Sequence, residues 1–261
     1  LKLNKKKILV GQHSLRTGLD DYDVFFDYSK SICSSFLNWG WINNYNFIKK
    51  FSSLRIFSSL NKYKKIEQIS NQNLEICFIL CGFSILGECL YDNYFENKKS
   101  EKARIDLLSK IKKNNRIKIF LKPRTGSFVL KNKSKFYDKF NILKYKSRMY
   151  DVFGKYNIVL FERLSLGIVE CIHLNQPTIF YYPKNLYKHQ NRKYKDFLEL
   201  LRKANILIDS SKKLLDLTNS QEKIFKWWFD KKNLFYRNRI LDRYARSFSS
   251  SDFKKFKDLI I

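Results

Sequence analysis

Residues 158–182 read IVLFERLSLGIVECIHLNQPTIFYY. Ile158 to Phe161 is an apolar run of strand length. Ser165 to Leu174 carries helical spacing, and Asn175-Gln176-Pro177 stops it. Thr178 to Tyr182 is a second strand. The order strand, helix, strand predicts a βαβ unit. A serine stands where its helix begins, and Glu170 follows about a turn and a half later.

The same alternation runs outward in both directions. Upstream, Glu75 to Leu80 (EICFIL) and Ile117 to Leu121 (IKIFL) are buried strands. Ser100 to Lys113 is an amphipathic helix with Ala103, Leu107, Leu108 and Ile111 on one face. Phe140 to Leu143 is a short strand, and Arg148 to Lys155 a short helix. Downstream, Asp196 to Ala204 is a helix and Ile206 to Ile208 a strand. Ser210 caps a helix that runs to Leu217. Gln221 to Phe229, Leu234 to Arg246 and Ser251 to Ile260 close the chain as helices. Strands alternating with helices from 75 to 208 predict a doubly wound parallel α/β domain. Before it, Lys7 to Val10 (KILV) is a strand that leads into Gly11-Gln12-His13. Residues 14–35 read as a loop-rich stretch with acids at Asp20, Asp21, Asp23 and Asp27. FLNWGW at 36–41 is apolar and aromatic. Residues 43–73 read as a short strand and a linker.

The 261 residues suffice for one large domain or two small ones. A chain that starts at Leu1 is expected to be a piece of a longer reading frame. Its 52 Lys and Arg against 24 Asp and Glu give a formal charge of +28. That charge fits an anionic partner: nucleic acid, anionic lipid headgroups or a phosphorylated substrate. It also fits an AT-rich genome, which favours Lys, Asn, Ile, Phe and Tyr over Gly (8) and Pro (3). The basic residues are spread along the chain and carry no nucleic-acid-binding signature, so specific nucleic-acid binding is not expected. No apolar run reaches membrane-spanning length. Five cysteines without a CxxC pair predict free thiols in a reducing, cytoplasmic setting.

In parallel α/β sheets ligands bind beyond the carboxyl ends of the strands, where helix N-termini point. Ser165 lies at such a place. Its hydroxyl and the backbone N–H groups beside it suit a phosphate; the alternative is a plain N-cap. Glu170 suits a ribose diol; the alternative is a solvated carboxylate. Lys122 and Arg124, in KPRTG after a strand, suit a diphosphate or a sugar phosphate; the alternative is surface charge. His13, after the KILV strand, suits a general base near neutral pH; the alternative is a structural histidine. No Walker loop and no GxGxxG follows any strand, which excludes the usual P-loop and dehydrogenase signatures.

The ordered set of motifs resembles a bacterial family of surface-carbohydrate transferases built like GT-B glycosyltransferases. Ser165 with Glu170, then Asn175, Pro177 and Thr178, match one part of the family pattern. Asn205-Ile206 with Asp209, Trp227-Trp228 and Arg243-Tyr244-Ala245-Arg246 match the next. Near the start, Gly11-Gln12-His13, an acidic stretch and Trp39-Gly40-Trp41 follow the same order. The likeness spans residues 8–250. It implies two Rossmann-like domains that face a cleft: residues 1–70 as the end of the acceptor-side domain, and 71–261 as the nucleotide-sugar-binding domain with its last helices packed back. It implies a sugar moved from a nucleotide sugar to a surface polysaccharide or lipid-linked glycan acceptor. Gln12, Lys122, Arg124, Ser165 and Glu170 would bind substrate, His13 would take the acceptor's proton, and no metal or other cofactor would be needed. The enzyme would work in the cytoplasm, and the basic charge alone predicts peripheral contact with an anionic membrane.

Several turns depart from the family pattern. Its glycine-rich run after Gly-Gln-His is here Ser14-Leu15-Arg16. Its Asn before the serine is Leu164, and the Thr pair after it is Leu166-Gly167. CGFSILGECLY, after the Cys77 strand, keeps a trace of a Tyr-rich pattern. These departures leave a second reading, a degenerate sugar-nucleotide or glycan-binding protein, and a third, a basic nucleic-acid-binding protein.

Overall fold

A computed structural model describes residues 7–12, 24–39, 46–51, 53, 74–80, 94–123, 135–144, 149–183, 192–246 and 249–260. The stretch quoted above forms β7 (Ile158–Phe161), α3 (Leu166–His173) and β8 (Thr178–Tyr181). Around it lie β4 (Leu74–Leu80), α2 (Tyr94–Lys112), β5 (Ile117–Pro123), β6 (Asn141–Ile142), α4 (Arg192–Lys203), β9 (Leu207–Ile208) and α5 (Ser211–Leu217). These six strands make one parallel sheet in the order β6-β5-β4-β7-β8-β9. Counted within the sheet, that is 3-2-1-4-5-6, the doubly wound order of dinucleotide-binding folds. The order reverses between β4 and β7, where Ile76 pairs with Ile158 and Ile79 with Phe161.

The strand sequences are apolar at nearly every position because both faces are covered. Along β4, Cys77 and Ile79 join one core with Val159, Phe161, Phe180 and the helices α3 and α4. Leu74, Ile76, Phe78 and Leu80 join the opposite core with Leu107, Leu108 and Ile111 of α2. The expected stripe on α2 holds for these three leucine and isoleucine positions. Arg104, not Ala103, fills the next buried place on that helix.

A second sheet is formed earlier in the chain by β1 (Leu9–Gly11), β2 (Ser35–Asn38) and β3 (Ile48–Lys50), all parallel, in that order. The two sheets lie on either side of residues 54–73, which are outside the described residues. Between β1 and β2 runs α1 (Val24–Ile32), where the sequence suggested loop. The helix has only nine residues and follows directly on the acidic run at 20–23, so its stretch reads as part of the loop. Phe26 meets Phe36 edge to face at 5.1 Å. The expected helix at 148–155 is also corrected. One 3-10 turn, Met149–Asp151, is present, and Gly154 at φ 74° carries the left-handed turn toward β7.

The last helices are α6 (Gln221–Phe229), α7 (Lys231–Tyr244) and α8 (Ser250–Ile260). The Trp227-Trp228 pair ties α6 to the turns that precede β8 and β9. Both turns follow a helix end and carry a left-handed asparagine: Asn175 at φ 56° and Asn205 at φ 53°. Trp228 Nε1 donates to the Asn175 carbonyl at 3.1 Å and to its Oδ1 at 2.9 Å. Trp227 Nε1 donates to the Asn205 carbonyl at 3.0 Å. Asn205 Nδ2 donates to Asn233 Oδ1, and Asn233 Nδ2 to the Trp227 carbonyl. Arg237 lies flat on Trp228, 3.7 Å from the ring centre, and donates to Asn175 Oδ1 at 3.2 Å. The Trp-Trp motif is thus a structural clasp at the N-terminal edge of the large sheet.

Candidate functional site

The carboxyl ends of β4 and β7 flank the point where the strand order reverses, so the crevice of the fold lies there. From β7 the chain passes through Glu162, Arg163 and Leu164 to Ser165, the N-cap of α3. Every residue of α3 is buried, and Gly167 allows that close packing. A Cβ at Gly167 would sit 2.9 Å from the Phe161 ring. Leu166-Gly167 thus lets the helix start pack hard against the strand end.

Ser165 has extended backbone, φ −146° and ψ 158°, and its side chain makes no cap hydrogen bond. The other N-caps differ. Ser210, Ser220 and Asp230 each accept from the backbone N–H three residues on. The Ser165 hydroxyl stands at the start of a helix at the crevice and is not used for capping. A hydroxyl so placed can donate to an anion at the helix start.

Lys122 is not in a loop after the strand, as expected, but inside β5, level with Ile79. It is buried and faces the same core as Ile79 and Cys77. Burial pushes the Cys77 thiol up to about 12, and the nearby Lys122 charge offsets part of that rise. Glu170 has no solvent exposure, which rules out the reading of a solvated carboxylate. The neighbouring Cys171 thiol is raised by its own burial first and by the Glu170 charge second. Gln12 is buried at the carboxyl end of β1. Its backbone N–H donates to the Leu37 carbonyl at 2.9 Å, and its Oε1 accepts from Trp39 N at 3.0 Å. It fastens the ends of β1 and β2 together, one residue before His13. Trp39 belongs to the same core cluster as α3 and β7. His13 and Arg124 lie outside the described residues.

One pair had no local signal in the sequence. Arg104 Nε of α2 binds Glu162 Oε2 at 2.6 Å, with side-chain exposures of 3% and 8%. Arg104 also reaches the Tyr137 hydroxyl at 3.4 Å. Burial alone would push the Arg104 guanidinium down; Glu162 and Tyr137 together outweigh it and hold it above its ordinary value. The pair pins the first residue after β7, and with it the turn that carries Ser165. Among the described residues no group of three His, Cys, Asp or Glu is placed to hold a metal ion, and no helix is long and apolar enough to cross a membrane.

A family model described as "LIC12162 family transferase" matches residues 2–257. No curated protein matches. Among solved structures, the wall teichoic acid polymerase TagF aligns with 100% of this chain and 68% of its own, at 11% identity and a TM-score of 0.57. A TagF variant soaked with CDPG aligns over 98% of this chain and 63% of its own, at 12% identity and a TM-score of 0.54. The S. aureus MnaA–UDP co-structure covers 98% of this chain and 75% of its own, at 11% identity and a TM-score of 0.49. The chain thus spans about two thirds of the length of the TagF structures it matches. The architecture is GT-B, with two Rossmann-like sheets, as the motif order implied.

Proposed function

The chain belongs to the LIC12162 family of transferases, and from that premise we propose that it moves a sugar from a nucleotide donor to a surface polysaccharide or lipid-linked glycan. The carrying observation is the uncapped Ser165 hydroxyl at the start of α3, beside the β4–β7 reversal. The TagF variant soaked with CDPG is similar in fold, which supports a ligand site in this kind of molecule.

In this proposal the donor's diphosphate lies against the N-terminus of α3. Ser165 donates to a phosphate oxygen, and the helix dipole favours the negative charge. Lys122 and Arg124 supply cationic charge from the β5 side. For Glu170 to accept from the ribose diol, the bound donor must displace the groups now covering its carboxylate. His13, the next residue after Gln12 in the chain, is assigned to the acceptor side. His13 then removes the acceptor hydroxyl proton as the new glycosidic bond forms and the nucleotide leaves.

The test is a thermal-shift screen of the CMP, CDP, UDP and GDP series and their sugars on the full-length protein. Ligand that binds only the folded state raises the melting temperature. One series should do so, and Ser165→Ala should weaken its binding about 10- to 100-fold, the worth of a hydrogen bond to a charged group. His13→Ala should abolish turnover and keep the shift. If no nucleotide shifts a folded protein, the degenerate binding reading replaces this one.

A further inference from the structure

The edge of the large sheet opposite the crevice has its own surface. Helix α6 lies across it. Its far end is tied by Trp227 and Trp228 to the turns before β9 and β8. Its near end follows Asn219, which lines a groove of about 510 Å³ with Asn114, Asn115 and Arg116, the turn before β5. The outward side of α6 is therefore the base of the domain.

That base is both apolar and cationic. Phe225 on α6 is 48% exposed and Phe235, early in α7, is 55% exposed. Leu234 beside it is also exposed, and the Phe225 ring lies tilted against Phe229, 4.6 Å between centres. Only Asp230 separates α6 from α7, so these side chains crowd one corner. Lys231 and Lys232 stand beside them in the chain, and Lys113 and Arg116 line the groove at the start of α6; all four are exposed and form no ion pair among the described residues. Of the acids nearby, Glu222 pairs with Lys226 at 2.6 Å and Asp230 caps α7, while Asp216 lines the groove beside Lys113 and Arg116. Exposed aromatic rings with unpaired cations close by in the chain suit insertion beneath anionic headgroups. The formal charge of +28 acts in the same sense.

We propose that this base, formed by α6 and the start of α7, docks on an anionic lipid bilayer. The crevice then stands off the bilayer by roughly the length of the seven-residue strand β4, about 23 Å. The proposal does not depend on the donor reading, because the two surfaces lie at opposite edges of the sheet.

The experiment is flotation of the full-length protein with vesicles. Half the vesicles' lipid is phosphatidylglycerol and half phosphatidylcholine; a second set is phosphatidylcholine alone. The protein should float with the first set only, and high salt should release it. Phe225→Ser with Phe235→Ser should lower the partition coefficient about tenfold or more. Lys231→Gln with Lys232→Gln should weaken binding and flatten its salt dependence. Both pairs are on the surface, and unchanged melting confirms the fold. Absence of flotation, equal binding to phosphatidylcholine, or full binding by both variants would overturn the proposal. So would loss of short-RNA retention in the variants with vesicle binding untouched. A nucleotide-induced thermal shift, if present, should be the same in the variants as in the native protein, so either failure is read separately.

Discussion

Replacing Asn175 with alanine removes two things that the structure separates. The first is the left-handed backbone at φ 56°, which costs alanine about 1 kcal/mol over glycine before entropy is counted. The second is the Oδ1 that accepts from Trp228 Nε1 and from Arg237. The Trp228 donor keeps the Asn175 carbonyl at 3.1 Å. Arg237 loses its bond to Asn175 while 2% exposed, a loss of about 1.5–3 kcal/mol for a charged group. Asn175→Ala should therefore destabilise by about 3 kcal/mol. Asn175→Gly keeps the turn but gives up more backbone entropy on folding, and should be better than alanine by about 0.5–1 kcal/mol. Urea unfolding at equilibrium measures both. The melting temperature should fall by about 6–12 °C for alanine, at about 2–4 °C per kcal/mol for a chain of this size. An alanine variant within about 0.5 kcal/mol of the native protein would refute the clasp, on the scale of an ordinary surface change. A glycine variant clearly worse than alanine would refute the backbone part of the reasoning.

Glu162→Gln should cost about 3–5 kcal/mol, because it leaves the Arg104 charge buried without its carboxylate; joint replacement of Arg104 by Met and Glu162 by Leu should recover most of that in urea melts. Gly167→Ala should gain about 1 kcal/mol of helix propensity and lose about 1–3 to overpacking against Phe161. It should therefore be neutral to destabilising, and a clear rise in urea midpoint would show that α3 has room to move. Burial raises the Cys77 thiol from 9.0 to about 12 and the Tyr181 phenol from 10.0 to about 12. Above about pH 9 the unfolded chain releases protons that the folded one retains, so stability should be level below that and fall toward pH 12, by about 1.4 kcal/mol per unit for each group. A urea midpoint that stays flat or rises to about pH 11 would contradict this.

The large sheet was legible because its strands are covered on both faces and so read as unbroken apolar runs. β4, β5, β7 and β8 stand within a residue or two of where the sequence placed them. The helix α1 was not legible, because its nine residues follow directly on the acidic run at 20–23, which reads as loop. At the site, the position of Ser165 followed from its place after a strand, but its unused capping capacity did not. The burial of Glu170 depends on packing from several elements, and no spacing reports it. The Arg104–Glu162 pair joins residues 58 apart, where no local pattern exists. The Trp227-Trp228 motif was visible as a pattern, and only the hydrogen bonds to Asn175 and Asn205 identify it as structural.

The central claim is that a nucleotide donor sits at the start of α3. Hydrogen exchange of the full-length protein, with and without a saturating nucleoside diphosphate, reads that location directly. The account predicts added protection in the peptides that cover residues 162–173. Protection confined to residues 219–235, at the opposite edge of the sheet, would contradict it.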